Sequence, residues 1–315
     1  MAMLRYVLKR LFLFIPICLG VIFIVFFIIE FIPGDPARLI LGERVSGSQI
    51  LQMRKHLGLD RPFLIRYADY IYRIVTHFDF GNSYRLQTPV ITEILKKIPS
   101  TIKLAFMGMF FASLIGISAG IFSAIRQYSP ADTLSTSAAM FFASIPNFWL
   151  GMTLILFFSL RLGLLPSSGF SSWRHYFLPV TAITLPASAG LLRLTRSMML
   201  ETIRQDYIRT ARAKGVKERS IIVKHAFKNA VLPVITSMGL HFGELLSGAI
   251  ITETVFAIPG LGTHIINAIR MKDTPVVLGS TVFLSMVFSL IMLLIDISYA
   301  FLDPRIRIKY ARRGR

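Results

Sequence analysis

Six stretches of about twenty near-continuously apolar residues, the length that crosses the hydrocarbon core of a bilayer, dominate this sequence: roughly 11–31, 101–125, 134–161, 178–199, 231–257 and 276–302. With 54% hydrophobic and only 16% charged residues, the chain is too apolar for an ordinary soluble domain. An all-α membrane protein is therefore expected. The fourth stretch is the weakest, because it contains Pro179, Pro186, Arg193 and Arg196. Prolines are tolerated in membrane helices where neighbouring helices satisfy the freed carbonyls, so it is kept as a span.

Charge sets the expected topology. The excess of 35 Lys+Arg over 16 Asp+Glu, a formal charge of +19, would suit nucleic acid, but cytoplasmic loops of membrane proteins are enriched in Lys and Arg for their own reason. The loop between the fourth and fifth spans carries Arg204, Arg209, Arg212, Lys214, Lys217, Arg219, Lys224 and Lys228. The N-terminus carries Arg5, Lys9 and Arg10, and the tail Arg305, Arg307, Lys309, Arg312, Arg313 and Arg315. All three regions are then cytoplasmic, which requires an even number of spans, and six satisfies them. The opposite loops 162–177 and 258–275 hold only Arg174, Arg270 and Lys272. Segment 32–100 is basic too, but loops of that length cross largely regardless of charge. The first apolar run is long enough to span and lacks a small-residue cleavage pattern, so it is read as a retained helix rather than a signal peptide. The single cysteine, Cys18, can form neither an intramolecular disulfide nor a cysteine-based metal site.

The organisation that follows has four parts: residues 1–31, the cytoplasmic N-terminus and first span; 32–100, an external loop; 101–302, a five-helix core that includes the cytoplasmic loop 200–230; and 303–315, a basic cytoplasmic tail. In the external loop, Leu64, Tyr67, Ala68, Ile71 and Ile74 have helical spacing and suggest short amphipathic helices. The pairs Gly116/Gly120 and Gly239/Gly243 permit close contact between spans.

The phosphate-binding and zinc-binding motifs are missing from the sequence. A phosphate-cradling loop needs a Gly-Lys pair followed by Ser or Thr, and no Gly-Lys pair occurs; nor does His-Glu-x-x-His. The chain is read as a non-enzyme that binds no cofactor or metal. Glu244, Glu253 and Asp296 lie near spans, where charge is costly and seldom idle, so a proton-coupled secondary transporter is the alternative class. Asp296 has a plainer use as an ion-pair partner of Arg193 or Arg196. Glu244 and Glu253, nine residues apart, do not stack on neighbouring turns.

The most informative stretch is Asp206-Tyr207-Ile208-Arg209-Thr210-Ala211-Arg212-Ala213-Lys214-Gly215. It reads as a short helix with an apolar face of Tyr207, Ile208 and Ala211, ended by a glycine, with a second helix over 216–229. Such a unit suits docking into another protein's groove; resting on anionic lipid is the alternative that composition leaves open.

Arg209-Thr210-Ala211-Arg212-Ala213-Lys214-Gly215, followed by His225-Ala226-Phe227-Lys228-Asn229-Ala230-Val231-Leu232-Pro233, resembles the cytoplasmic signature loop of ABC import permeases, and most closely the B-type subunits of the dipeptide/oligopeptide (peptide/nickel/glutathione) family. Three further stretches agree in family order: Pro33-Gly34-Asp35-Pro36-Ala37, Glu253-Thr254-Val255-Phe256-Ala257-Ile258-Pro259-Gly260-Leu261-Gly262 and Asp303-Pro304-Arg305-Ile306-Arg307. The chain departs from the general ABC pattern in having Arg209-Thr210-Ala211 where that pattern has Glu-Ala-Ala, and in a longer gap from Gly215 to Pro233. The resemblance implies a six-helix type I importer permease in the inner membrane of a prokaryote. It also implies a second, similar permease, two cytoplasmic ATPase subunits that use ATP and magnesium, and an external binding protein. Asp206, Tyr207, Arg209, Thr210, Ala211, Arg212, Ala213, Lys214 and Gly215 would dock the ATPase. Ser144, Asn147, Ser237, His241 and Glu244 are polar span positions open to either pathway lining or helix packing. Ser172-Trp173-Arg174-His175-Tyr176-Phe177-Leu178-Pro179 is similar to permeases for small peptides, the glutathione type among them.

Overall fold

The computed structural model describes residues 2–31, 35–42 and 45–302. Among these the regular structure is helical, apart from one isolated antiparallel bridge between Asn82 and Pro89. The helices are α1 Ala2–Glu30, α2 Pro36–Leu41, α3 Gly47–His56, α4 Phe63–His77, α5 Val90–Ile125, α6 Pro130–Ser144, α7 Asn147–Leu154, α8 Trp173–Ile203, α9 Asp206–Ala213, α10 Glu218–Ser220, α11 Lys228–Val255, α12 Leu261–Arg270 and α13 Thr274–Leu302. Wider π-helical turns continue α7 over Ile155–Arg161 and join α10 to α11 over Ile221–Phe227.

Four helical segments are long and apolar enough to cross a membrane: Val7–Glu30, Val90–Ile125, Trp173–Ile203 and Thr274–Ile295. Two bent pairs, Pro130–Ser144 with Asn147–Arg161 at 98° and Glu218–Leu246 with Ala249–Val255 at 44°, raise the number to six if each pair is one span. The third expected span is thus sharply broken. Proline at 146 has no N–H to donate and forces the residue before it out of the helical region, and Ile145 is extended at φ −89°, ψ 125°. The expected second helix over 216–229 is not separate either; it runs through the π-helical turns into α11. Helix α5 starts at Val90, so the span expected at 101–125 is the later part of a longer helix.

The fourth span, weakest by sequence, forms without interruption over both of its prolines. Of its central window 56% is buried, against 39%, 33% and 6% for the other three long helices. That burial explains the weak signal: a helix covered by protein has no need of the apolar surface that lipid demands.

The chain divides into two compact units, one gathering Ile102–Ile258 with short stretches at both ends of the chain, the other joining Leu8–Thr101 to Pro259–Leu290. In the first, Gly116 and Gly120 let α5 lie directly on α8. A Cβ at Gly116 would stand 2.6 Å from the Ser188 carbonyl oxygen, and one at Gly120 2.7 Å from that of Leu192. Gly239 is similarly filled by the side chain of Ile295.

The second unit has its own core of Ile22, Tyr70, Ile74, Phe80, Val90, Ile94, Leu261, Ile265, Val276 and Val282. On α4, Tyr67, Tyr70, Ile71 and Ile74 face this core, whereas Leu64 and Ala68, grouped with them by spacing, are exposed. Asp273, only 5% exposed, locks the loop before α5: it accepts from the Ser83 hydroxyl, from Tyr84 N–H at 3.0 Å and from Arg85 N–H at 3.4 Å. Burial beside this carboxylate pushes the Tyr84 phenol up to about 12.

His264 on α12 generates a pH dependence. Burial, which disfavours the charged ring, pushes it below its ordinary 6.5, and Nε2 is buried without a hydrogen-bond partner among the described residues. A group whose folded pKa is depressed supports folding fully above the unfolded value and loses that support as pH falls through the folded one. The unit should therefore lose stability as pH drops below 6.5, and His264→Gln should flatten the loss. Thermal unfolding of the detergent-solubilised protein between about pH 7.5 and 5 checks this; identical pH slopes for variant and wild type would contradict it.

Candidate functional site

Helix α9 begins after an extended Gln205, whose carbonyl accepts from Ile208 N–H at 3.0 Å. It ends in a Schellman arrangement, in which Gly215 N–H donates to the Arg212 carbonyl at 2.9 Å and Val216 N–H to the Ala211 carbonyl at 3.2 Å. This closure puts Gly215 at φ +74°, a conformation that costs a residue with a Cβ and suits glycine. The glycine expected to stop the helix does so.

Ile208 anchors the helix. It is fully buried among Ala124 of α5, Met199 of α8, Ile221, Ala226 and Ala230, with Ala211 and Val216 packed around them. Burying one isoleucine side chain contributes about 2 kcal/mol relative to leaving it in water. The expected apolar face therefore holds for Ile208 and Ala211. Tyr207 is 43% exposed, and its hydroxyl accepts from the Asn229 side-chain amide at 3.0 Å. Asp206, Arg209, Thr210, Arg212, Ala213, Lys214 and Gly215 are exposed. Arg212 is partly committed, since its Nε and Nη2 donate to the two carboxylate oxygens of Glu218 at 3.1 and 2.6 Å. Arg209 lies 3.8 Å from Asp206 with its side chain 76% exposed, so its charge is turned to the outside.

The polar span positions separate into three places. Ser144 and Asn147 flank the break at Pro146, and Ser144 donates back to the Met140 carbonyl at 2.9 Å, which satisfies it within its own helix. Ser237 is half-buried on α11. His241 and Glu244 form a pair on α11, Nδ1 to Oε2 at 2.7 Å, with the Glu244 side chain 72% exposed. Ser172 and His175 of the run 172–179 are occupied in capping α8, the His175 Nδ1 lying 3.2 Å from Ser172 N–H and 2.9 Å from its hydroxyl.

Among the ion pairs that sequence reading missed, one is buried. Asp132 on α6, 3% exposed, receives both Nε and Nη2 of Arg196 on α8 at 2.7 Å, together with the Ser123 hydroxyl and Tyr128 N–H at 2.9 Å. Arg196 is thus held by Asp132, and the side chain of Asp296, its expected partner, lies outside the described residues. The stretches 32–34 and 303–315, and with them parts of two family motifs, lie outside them as well. A local signal marked Asp132 but not its partner: Ser129 caps α6, Pro130 follows, and Asp132 stands three residues after the cap, as in a capping box.

Long apolar helices and two bent apolar pairs, with a capped basic helix between two of these segments, are the build of a polytopic membrane protein. Residues 116–308 match the family described as "Binding-protein-dependent transport system inner membrane component", and residues 3–105 match its N-terminal membrane component. The chain belongs to this family. It is 41% identical over 307 residues, 98% of this chain and 100% of the relative, to the glutathione transport system permease protein GsiC of Salmonella typhimurium, and equally to that of Escherichia coli K12. Two inward-facing crystal forms of the MetNI methionine ABC transporter share the fold: TM-score 0.57 at 18% identity over 67% of this chain and 96% of that one, and 0.56 at 19% over 68% and 97%. The chain is a permease subunit of an ABC importer; ATP hydrolysis lies with other subunits, and the proton-coupled carrier is set aside.

Breaking the Asp132–Arg196 pair leaves a carboxylate buried without its counter-ion, which is costlier than losing both charges. Arg196→Met should destabilise the solubilised protein by on the order of 3 kcal/mol, and adding Asp132→Asn should recover part of it. Additive losses in thermal unfolding of the two single variants and the double variant would contradict this coupling.

Proposed function

We propose that this chain is the transmembrane-pathway subunit of an ATP-driven importer of short peptides, with glutathione-type peptides inside its range. Support for the substrate class comes from the relatives that transport glutathione and from the similarity of run 172–179 to small-peptide permeases. In this reading each bent pair is a single span, giving six, with both termini and loop 200–230 on the cytoplasmic side of a prokaryotic inner membrane. A second permease of the same kind completes the pathway, two ATPase subunits supply the work from ATP and magnesium, and an external binding protein delivers substrate.

The observation that carries the proposal is the build of α9: Ile208 pins it to α5, α8 and the start of α11, while Arg209, Thr210 and Lys214 face outward. A helix so anchored transmits displacement of whatever grips its outer face into the ends of three membrane helices. It does no chemistry. Closure of the ATPase pair shifts the pathway between inward- and outward-facing states only by the difference in binding energy of the two states at this helix. The polar positions Ser144, Asn147, Ser237, His241 and Glu244, exposed or half-buried, are assigned to the pathway on the same reading.

Gly215→Pro removes the N–H given to Arg212 and cannot adopt φ +74°, so it should disconnect the helix from its closing turn. In proteoliposomes holding the whole assembly, peptide uptake should fall below about a tenth of wild type while partner ATPase activity persists; Gly215→Asn, which tolerates the left-handed region, should keep uptake. Wild-type uptake by Gly215→Pro would overturn the assignment.

A further inference from the structure

Glu244 is a charged side chain where a membrane helix has no ordinary use for one. It stands eleven residues before the end of α11 at Val255, about 16 Å along the axis, too deep for a short acidic side chain to reach either end of the helix. Pro233, Leu240 and Glu244, at steps of seven and four residues, fall within about 20° of one direction at 3.6 residues per turn, and all three are exposed. Leu240 is 48% exposed, and the Glu244 side chain 72%. A carboxylate turned toward lipid at this depth costs roughly 2.5–3.5 kcal/mol on insertion scales. A face that carries one belongs against water and polar solute.

The geometry around Glu244 is prepared rather than incidental. His241, one turn back, sets its Nδ1 2.7 Å from Oε2, and among the described residues that is the hydrogen bond Glu244 makes. The imidazole in turn is seated on α8: a Cβ at Gly190 would stand 3.0 Å from its Nε2, so the absence of a side chain there makes the space for the ring. Donation from the imidazole Nδ1–H fixes the orientation of the carboxylate.

We propose that Glu244, oriented by His241 in the gap at Gly190, forms a cation subsite of the translocation pathway that receives the ammonium group of the transported peptide. This rests on the reading of the chain as a peptide permease and adds to it a specificity-determining contact. A single carboxylate on this stripe recognises a primary ammonium by charge and hydrogen bonds, and repels a carboxylate or sulfonate. The ammonium has two sources, an α-amino terminus or a lysine side chain, and both fit the same chemistry.

The test uses the complete assembly with Cys18→Ser and Leu240→Cys, which puts a thiol one turn from Glu244. It is labelled with a trimethylammonium thiosulfonate and, separately, with its sulfonate counterpart, each rate divided by that for a free thiol and read by peptide mapping. The cationic reagent should be favoured about tenfold, a difference worth 1.4 kcal/mol, and Glu244→Gln should remove the preference. Glycinamide or Nα-acetyl-lysinamide should slow the cationic labelling; the stronger competitor identifies the α-amino or the side-chain source. His241→Gln should weaken the preference without abolishing labelling. No reaction with either reagent would mean that the stripe faces lipid or protein, equal rates would mean no cation site, and protection by neither amine would mean no ammonium subsite; each overturns the proposal. ATP-dependent uptake by the parent assembly, measured alongside, separates failure of the subsite from failure of the importer reading.

Discussion

Everything in this protein depends on the absence of water in the hydrocarbon core. A backbone N–H or C=O there costs several kcal/mol unless the chain satisfies it, so apolar segments become helices, and they stop being helical only where protein or an aqueous cavity covers the exposed groups. Among the described residues, the 98° break at Pro146 and the 44° bend before Ala249 are sharp bends between apolar helical segments. In both, the polar side chains of the spans lie close by: Ser144 and Asn147 at the first, His241 and Glu244 just ahead of the second. Irregular backbone and polar side chains thus coincide, as they do when a helical protein builds a path for a polar solute.

Much of this was legible in the sequence because bilayer thickness is a strict ruler. Four apolar runs became single helices, and Gly116 and Gly120 pack as their spacing suggests. Gly215 closes α9 because its position after Lys214 leaves few other ways to end a helix. The losses have physical causes. The break in 134–161 was missed because hydropathy is blind to backbone geometry, although Pro146 was present to report it. On α4 the spacing of Leu64, Tyr67, Ala68, Ile71 and Ile74 joined two faces into one, since this helix has apolar residues on its exposed side too. The Asp132–Arg196 and Asp273–Ser83 contacts connect residues 64 and 190 positions apart, and no local pattern encodes such partners.

The functional loop was legible for a different reason. Its backbone closure is local, resting on residues within a few positions of each other, and the periodicity of its apolar face marks Ile208 as the residue to bury, whereas its exposed cations are those that the loop did not need for folding. Arg212 illustrates the boundary: it is spent on Glu218, while Arg209 and Lys214 remain turned outward. On the proposed reading, a short helix fixed by one buried isoleucine and one left-handed glycine carries force and offers its charged outer face to the ATPase. Differential contact at that face, not catalysis, is then what the subunit contributes to the cycle.

The central claim is that this chain works only inside a larger assembly, and isolation of the complex tests it most directly. The chain would be purified in mild detergent from its native membrane, its companions identified and their ATPase activity measured. The account predicts two phosphate-loop ATPase subunits and a second permease-like membrane chain, with hydrolysis that an external binding protein stimulates. A homogeneous protein without ATPase companions that transports peptide in a proton gradient would contradict it.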